Sequence, residues 1–231
     1  MKLLHVSDLH FRPHWFEWVA KEACHYDAVC IAGDLLDMFG THETGMRDQA
    51  AWVRTWIRGF SGRLFVCSGN HDWWDSKGVV DNDAHGGWLD KMGSNQVTVD
   101  GQGAVIGGYH IFCHPFRFPA CWPQAPSGKW ILLHHAPPAY AGTGVTGSTG
   151  KDQGCRELAA AIIGSPRPPW LILSGHIHKP KSWRGRHGAS WSFNPTFDAE
   201  APWPNHITID TESGVVTWIT SREGTWPVRV L

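Results

Sequence analysis

The chain has 231 residues, of which 42% are hydrophobic and 18% charged, and its formal net charge is −1. This composition predicts a single domain, residues 1–231, with a sizeable core, and it excludes global disorder. The near-neutral charge argues against a strongly basic nucleic-acid binder, although a local basic patch is compatible with it. No apolar run approaches the roughly 18 residues of a membrane helix, so we expect no membrane partner.

Short apolar runs alternate with helical patterns along most of the chain. Five runs are predicted to be buried strands: Leu3–Val6, Ala28–Ala32, Leu64–Cys67, Trp130–Leu133 and Trp170–Leu173. Helices are predicted at about 14–24, 50–60 and 155–163. Shorter strands around turns follow near 96–112 and 190–220. A βαβ core followed by hairpins predicts a layered α/β fold with mixed sheets.

The loops between these elements are expected to choose the substrate. They lie around 38–46, 72–90, 113–128 and 137–153. The last of them contains a glycine-rich stretch, 141–150, which shows no periodicity and is predicted to be a mobile surface loop.

The cysteines do not form a zinc or redox motif. There are six of them, and no two are closer than six positions: Cys24, Cys30, Cys67, Cys113, Cys121 and Cys155. Cys30 and Cys67 lie inside apolar runs, where a buried thiol is the ordinary arrangement. Reduced thiols predict a cytoplasmic protein.

Residues that can bind a metal follow each of the five predicted buried strands. The motifs are Ser7-Asp8-Leu9-His10, Gly33-Asp34-Leu35-Leu36-Asp37, Gly69-Asn70-His71-Asp72, His134-His135 and Gly175-His176-Ile177-His178. Ligands of an open α/β sheet lie beyond the carboxyl ends of its strands, so we expect the motifs to converge on one rim. In an extended segment residues i and i+2 share a face, so Asp8 with His10, and His176 with His178, are expected to present two ligands together.

The donor types indicate the kind of ion. The set contains two carboxylates, one amide oxygen and four imidazoles, and no thiolate, which suits Mn²⁺, Fe or Zn²⁺. Seven ligands are too many for one ion. With Asp34 bridging, two divalent ions share them and keep positions open for water and substrate. Such a pair can hold a hydroxide and clamp a phosphoryl group during in-line displacement.

The ordered set D-x-H, G-D-x-x-D, G-N-H-D, H and G-H-x-H, from Asp8 to His178, resembles the calcineurin-like metallophosphoesterase superfamily. The resemblance implies a four-layer αββα sandwich with two mixed β-sheets and a dimetal site at the C-terminal ends of the strands. It implies two divalent metal ions, Mn²⁺ as the first expectation and Fe or Zn²⁺ as the alternatives. The implied ligands are Asp8, His10, Asp34 and His178 for the first ion, and Asp34, Asn70, His134 and His176 for the second.

The fourth motif offers two adjacent histidines. We prefer His134 as the ligand because it directly follows the predicted strand, and His135 is the alternative. The resemblance makes His71 the histidine outside the ligand set that protonates the leaving oxygen or stabilises the transition state. Asp37 resembles the carboxylate that orients this histidine, with a simple turn as the alternative. For Asp72 we prefer a loop-stabilising role.

Differences between this sequence and particular subfamilies narrow the choice of substrate class. Protein serine/threonine phosphatases of this superfamily carry arginines where this chain has Met38 and Ser68, and those arginines clamp a phosphomonoester dianion. Their absence favours a phosphodiester. The lipid-A-pathway diphosphohydrolases have an arginine where this chain has His71, which disfavours that assignment.

We therefore expect a metal-dependent phosphodiesterase in which a metal-bound hydroxide attacks phosphorus and His71 assists the leaving group. Its partner is a small phosphoester substrate, with nucleotides among the candidates. The alternatives are a phosphomonoesterase, a DNA nuclease of the same superfamily and a non-catalytic scaffold. The nuclease alternative keeps nucleic acid among the candidate substrates. The sequence does not determine an oligomeric state.

Overall fold

The computed structural model describes residues 1–39, 43–73, 87–117, 122–124 and 126–230. Cys121 and parts of three of the predicted substrate loops lie outside these ranges. The strands in chain order are β1 (Lys2–Val6), β2 (Ala28–Ala32), β3 (Leu64–Cys67), β4 (Val97–Thr98), β5 (Gly103–Ile106), β6 (Tyr109–Cys113), β7 (Trp130–Leu133), β8 (Leu171–Leu173), β9 (Arg184–His187), β10 (Ser190–Phe193), β11 (His206–Asp210), β12 (Val215–Thr220) and β13 (Gly224–Arg229). The helices are α1 (Pro13–Glu22), α2 (Met46–Gly59), α3 (Gly87–Asp90) and α4 (Arg156–Gly164), with 3₁₀ turns at Ala23–His25 and Asn70–Asp72.

The strands form two mixed sheets. The first has seven strands in the order β13-β12-β11-β1-β2-β3-β4, with parallel pairing from β1 to β4 and antiparallel pairing elsewhere. The second has six strands in the order β5-β6-β7-β8-β10-β9, parallel from β6 to β10 and antiparallel at both edges. The predicted α/β class with two mixed sheets is confirmed.

The strands alternate between two cores because successive side chains of a strand point to opposite faces. Leu3, Cys30 and Phe65 of the first sheet pack with Ile131 and Leu173 of the second. Helices α1 and α2 cover the other face of the first sheet, and α4 covers the other face of the second. The order of layers is therefore helix, sheet, sheet, helix, as the resemblance implied.

Helix α2 shows how the sequence pattern produces this packing. Ala50, Val53 and Ile57 are spaced three and four residues apart, so they share one helix face, and all three are buried against the first sheet. Full burial of a side chain such as Val or Ile contributes about 1.5–3 kcal/mol. The helix therefore stays attached to the sheet mainly through this apolar stripe.

Two strands that the sequence patterns did not predict lie at sheet edges. Strand β9 has the polar sequence RGRH, and β13 contains Pro227. Edge strands carry a weaker alternation because only one side is paired, and they tolerate proline. The hydrophobic pattern consequently underestimates the width of both sheets.

The glycine-rich stretch 141–150 differs from its prediction as a mobile loop. The backbone N–H of Thr146 donates to the carbonyl of Lys151 at 2.9 Å, and that of Gly147 donates to the carbonyl of Lys179 at 2.8 Å. The first bond closes the loop on itself, and the second attaches it to the segment that follows β8. A Cβ at Gly147 would lie 3.3 Å from the carbonyl oxygens of Lys179 and Pro180, which is a tight contact with the same segment. No helix within the described ranges is long and apolar enough to span a membrane.

Candidate metal centre

The five motifs meet where β1, β2 and β3 of the first sheet and β7 and β8 of the second end. Contacts between motifs define the convergence. The backbone N–H of His176 donates to both carboxylate oxygens of Asp8 at 3.2 Å, and the backbone N–H of His71 donates to Oδ1 of Asp34 at 2.9 Å. Residues that are up to 168 positions apart in the sequence thus form one cluster.

Four candidate ligands adopt the left-handed backbone conformation. The φ angles are 55° at Asp8, 40° at His10, 52° at Asp34 and 68° at His176. Such a φ is uncommon outside glycine and costs of order 1 kcal/mol per residue, and it concentrates at functional sites. The extended i, i+2 geometry expected for the D-x-H and H-x-H pairs is therefore wrong: the pairs lie in tight turns beyond the strands.

One group of donors surrounds Asp8. Its Oδ1 lies 3.5 Å from Nε2 of His178 and 3.9 Å from Nε2 of His10, and these two imidazole nitrogens are 3.0 Å apart. Phe197 packs against both rings, with centroid distances of 4.4 Å to His178 and 5.1 Å to His10. Oδ2 of Asp34 is 4.0 Å from His10, so it borders this group.

A second group of donors extends from Asp34 towards the second sheet. Oδ2 of Asp34 lies 3.2 Å from Nε2 of His135. The side-chain oxygen of Asn70 is 3.1 Å from that same nitrogen and 2.8 Å from Nδ1 of His176. Asp34 therefore stands between the two groups, which is the position that a bridging carboxylate requires.

The structure brings His135 rather than His134 into this cluster. Nδ1 of His134 faces the carbonyl of His114 at 3.4 Å, and the two rings meet edge to face. The reason is the alternation of β7, in which Ile131 and Leu133 face the core between the sheets. His135 continues that face by the period of two, whereas His134 continues the opposite one. The geometry therefore favours His135, the alternative ligand, over His134, which we preferred from the sequence because it directly follows the strand.

The charges of the cluster fit a cation. Burial opposes ionisation of Asp8, but the hydrogen bond of His178 and the charge of His135 outweigh it and lower the pKa of Asp8 to about 2. Burial likewise opposes ionisation of Asp34, yet the neighbouring imidazoles hold its pKa below the usual range. Asp34 in turn raises the pKa of His135 to about 9, against the effect of burial. Two buried carboxylates thus require positive charge nearby, and imidazole and amide donors can hold a divalent ion there.

His71 lies beside Asp34 and is held by the turn that follows β2. Its Nε2 is 3.8 Å from Oδ2 of Asp34, and its Nδ1 accepts a hydrogen bond from the backbone N–H of Met38 at 3.3 Å. Burial lowers the pKa of His71. A neutral ring whose Nδ1 accepts a hydrogen bond carries its proton on Nε2, so His71 presents an N–H to the cluster.

Asp37 organises that turn. Its Oδ1 accepts a hydrogen bond from the backbone N–H of Phe39 at 3.1 Å, and its charge acts on His71 to raise the pKa of the ring. Gln49 of α2 accepts from the backbone N–H of Asp37 at 2.8 Å and donates to its carbonyl at 3.2 Å. The hydrogen bond from Met38 to His71 was not predicted from the sequence, because a backbone donor leaves no trace in residue types.

Asp72 connects the second and third motifs. One carboxylate oxygen accepts from the backbone N–H groups of Leu35 and Leu36, both at 3.0 Å, and the other accepts from that of Gly69 at 2.8 Å. Asp72 is fully buried, and burial raises its pKa to about 7. The carboxylate therefore binds two loops together, which agrees with the loop-stabilising role preferred from the sequence.

Glycines in the motifs allow the loops to approach one another. A Cβ on Gly69 would overlap the carboxylate and backbone nitrogen of Asp34, and one on Gly175 would overlap Asp8 and Ser7. The side-chain amide of Asn194 supports the last motif by donating to the carbonyls of Gly175 and Ile177 at 2.8 and 3.1 Å. A glycine directly precedes Asp34, Asn70 and His176, and this is the sequence signal that could have indicated the close packing.

Two kinds of comparison relate the chain to known proteins, one with family models and one with solved structures. The model of the calcineurin-like phosphoesterase family matches residues 1–180. Among solved structures, the chain is similar to the protein TT1561 of Thermus thermophilus, with 16% identity, a TM-score of 0.57 and coverage of 100% of this chain and 99% of that one. It is also similar to Yfce, a phosphoesterase from E. coli, with 14% identity, a TM-score of 0.50 and full coverage of both chains.

A plant enzyme shares the fold over part of its length. Purple acid phosphatase PPD1 from yellow lupin (Lupinus luteus) seeds is 12% identical, with a TM-score of 0.58, and the match covers 99% of this chain and 53% of that one. None of the curated proteins compared with the chain matches it significantly. At these identities the solved structures establish the fold alone. The family model spans well over half of the chain, and the chain therefore belongs to the calcineurin-like phosphoesterase family.

Proposed function

We propose that this protein is a dinuclear metal-dependent phosphoesterase that hydrolyses small phosphodiesters. The observation that carries the proposal is the position of Asp34. Its Oδ2 lies within 3.2–4.0 Å of imidazole nitrogens of His135, His71 and His10, which come from three different motifs. A buried carboxylate shared between two donor groups is the arrangement that a two-metal hydrolase needs.

The ligand sets follow from the two groups of donors. The first ion is assigned to Asp8, His10, Asp34 and His178, and the second to Asp34, Asn70, His135 and His176. Mixed nitrogen and oxygen donors without thiolate favour Mn²⁺, with Fe or Zn²⁺ as alternatives. When bound, such a pair of ions activates water as a nucleophile and neutralises charge on the phosphoryl oxygens.

His71 acts on the leaving group by hydrogen bonding. Water adds to phosphorus and gives up one proton to the solvent, the bond from phosphorus to the leaving oxygen breaks, and negative charge develops on that oxygen. The Nε2–H of His71 donates a hydrogen bond to this charge, while Met38 keeps Nδ1 as an acceptor. A neutral ring held in this way stabilises the transition state, and the leaving oxygen then takes its proton from water.

The surroundings of the site favour a diester over a monoester. A phosphomonoester dianion needs more positive charge than a diester anion, and arginine forks usually supply it. Ser68 stands at one of the two positions where related phosphatases carry such an arginine. Its hydroxyl accepts hydrogen bonds from Nε1 of Trp73 at 3.1 Å and from the backbone N–H of Phe116 at 3.2 Å. This position therefore serves packing and offers no cation to the substrate.

We also place the protein in the cytoplasm. Five cysteines within the described ranges are free thiols, and three of them, Cys30, Cys67 and Cys113, are buried. Burial raises the pKa of the Cys30 thiol to about 12, which keeps it protonated and unreactive. Thiols in this state suit a reducing compartment.

Metal analysis and a hydrolysis panel test the proposed function. The purified chain is expected to bind about two divalent ions, and to hydrolyse 4-nitrophenyl diesters faster than 4-nitrophenyl phosphate when Mn²⁺, Fe²⁺ or Zn²⁺ is supplied. Asp34→Ala should lose both ions and all turnover. Asp90→Ala removes an exposed carboxylate outside the site and serves as the matched control. A chain that binds no divalent ion, or that hydrolyses no phosphoester with any of them, refutes the proposal.

A further inference from the structure

A groove with a volume of about 1310 Å³ begins at the candidate metal centre and runs away from it. His176, Ile177 and His178 line the end beside the metal centre. The segment after them, from Lys179 to Trp183, lines the next part. Small-molecule sites commonly have volumes of roughly 300–1,000 Å³, so this groove is larger than a simple dialkyl or diaryl phosphate requires.

Backbone hydrogen bonds fix both sides of the groove. On one side, Gly147 donates to the carbonyl of Lys179 at 2.8 Å, and Lys181 donates to the carbonyl of Val145 at 2.6 Å. On the other side, the backbone N–H of Phe197 donates to the carbonyl of His178 at 3.0 Å. The groove is therefore formed before any ligand arrives, and ordering it costs little on binding.

The charges along the groove are unequally paired. Arg222 forms ion pairs with Asp198 at 2.6 Å and Glu200 at 2.5 Å, so one guanidinium engages both carboxylates and the three groups together keep one net negative charge. Lys179 and Lys181 are exposed, and neither ammonium group has an acidic partner among the residues that the structure describes. Glu223 is the other acidic side chain of the lining. Within the described residues, the lining as a whole holds three basic and three acidic side chains, and its two cations without an ion-pair partner, Lys179 and Lys181, lie on the segment that directly follows His178.

The two lysines lie close to the reacting centre. Lys181 is three residues from His178, so their Cα atoms are at most about 11 Å apart. Flexible lysine side chains can place an ammonium group anywhere along this part of the groove, and lysine binds phosphate as a point charge. Thr146, Ser148 and Gln153 line the same region with hydroxyl and amide groups. These hydroxyl and amide groups can form hydrogen bonds with the hydroxyl groups and phosphate oxygens of a ligand.

We propose that this lysine groove, defined by Lys179 and Lys181 beside His178, binds a second phosphate group on the substrate. The inference rests on the proposed phosphodiesterase function and specifies its substrate class. That class is an extended phosphodiester whose retained half carries another phosphate, as in a dinucleotide or a bisphosphorylated nucleoside. The scissile phosphate lies at the metal centre, and the second phosphate lies between the two ammonium groups.

A matched pair of substrates tests the groove. Thymidine 5′-(4-nitrophenyl phosphate) and the same compound with an added 3′-phosphate share the scissile bond and differ only in the second phosphate. The metal-loaded wild-type chain is expected to show a KM about fivefold lower for the 3′-phosphorylated compound. The double variant Lys179→Ala/Lys181→Ala should bring this KM ratio close to one. Lys91→Ala removes an exposed lysine outside the groove and should keep the wild-type ratio.

Salt and inhibition provide independent readouts. The KM ratio of the wild type should fall as the salt concentration rises, because exposed charges are screened. Thymidine 3′,5′-bisphosphate should inhibit the wild type more strongly than thymidine 5′-phosphate, and the double variant should not distinguish the two. Turnover of both substrates with a wild-type ratio near one, or with a ratio that survives the double substitution, overturns the groove inference and leaves the proposed function intact. Turnover of neither substrate by a chain that still hydrolyses other 4-nitrophenyl diesters also overturns the groove inference, whereas a chain that hydrolyses no phosphoester overturns the proposed function itself.

Discussion

The backbone N–H of Met38 donates a hydrogen bond to Nδ1 of His71, with a distance of 3.3 Å between the two nitrogens. The bond keeps a lone pair on Nδ1 and therefore leaves the proton of the neutral ring on Nε2, which faces Asp34 at 3.8 Å. Asp37 and Gln49 hold the backbone that supplies this donor. The geometry thus favours His71 as a hydrogen-bond donor to developing charge over His71 as a source of a proton.

A side chain that can only donate a hydrogen bond should therefore restore part of the catalytic rate that is lost when His71 is removed. His71→Ala is expected to lower kcat by about 10²–10³-fold, as removal of a single donor to a developing oxyanion does. His71→Gln places an amide N–H near the position of Nε2 and should recover about tenfold of that loss. The measurement is kcat on an alkyl 4-nitrophenyl diester, with metal content determined for each variant.

Both His71 variants should keep the metal stoichiometry of the wild type, because His71 lies outside the proposed ligand set. If His71→Gln proves as slow as His71→Ala at full metal content, the ring supplies a proton and the hydrogen-bonding role is wrong. Unchanged rates in both variants would remove His71 from the mechanism altogether.

The two adjacent histidines of the fourth motif should behave differently on substitution. His135→Ala removes a ring nitrogen that lies 3.2 Å from Asp34 and 3.1 Å from Asn70, and it should lower the metal content from about two ions to about one. His134→Ala removes a ring that faces His114, and it should keep both ions. Elemental analysis after dialysis measures the difference, and circular dichroism checks that each variant is folded. The opposite order of metal loss would restore His134 as the ligand.

Close packing at Gly69 should make that position intolerant of any side chain. In Gly69→Ala the new Cβ would overlap Asp34, so we expect a loss of at least about 2 kcal/mol in the free energy of unfolding, together with weaker metal binding. Gly59→Ala, in α2, meets open space and should stabilise the chain by up to about 1 kcal/mol. Urea unfolding of both variants tests the pair. If Gly69→Ala and Gly59→Ala have the same free energy of unfolding, the close contact between the second and third motifs does not contribute to stability.

His206 should make the fold sensitive to mild acid. The ring is buried between Trp18 and Trp203, its Nδ1–H donates to the carbonyl of Pro204 at 3.0 Å, and burial lowers its pKa to about 4. An unfolded histidine has a pKa of about 6.5, so between these values the unfolded chain binds more protons and stability falls as the pH falls.

The contribution of His206 to this loss is about 2 kcal/mol between pH 7 and pH 5. His206→Asn keeps a donor for the carbonyl of Pro204 but does not titrate, so it should lose less stability over the same interval. Urea unfolding at the two pH values measures both losses. If the wild type and the variant lose the same amount, His206 titrates normally in the folded chain.

Much of the fold follows from local pattern. Strands β2, β3 and β7 have the bounds that the apolar runs predict, because buried strands are short, apolar and flanked by turn residues. The edge strand β13 was missed because exposure weakens its pattern. The glycine-rich stretch 141–150 was misread because its attachment depends on backbone hydrogen bonds to a segment more than thirty residues further along the chain.

The sequence by itself determined which donors are available and that they follow five strands, since residue types and apolar periodicity are local properties of the chain. Only the tertiary structure decided how those donors are used. Which of His134 and His135 turns towards Asp34 depends on which face of β7 meets the other sheet. The left-handed turns at Asp8 and Asp34, and the hydrogen bond from Met38 to His71, exist because distant loops pack against one another. Contacts of this kind depend on the relative placement of two sheets, which no local pattern encodes.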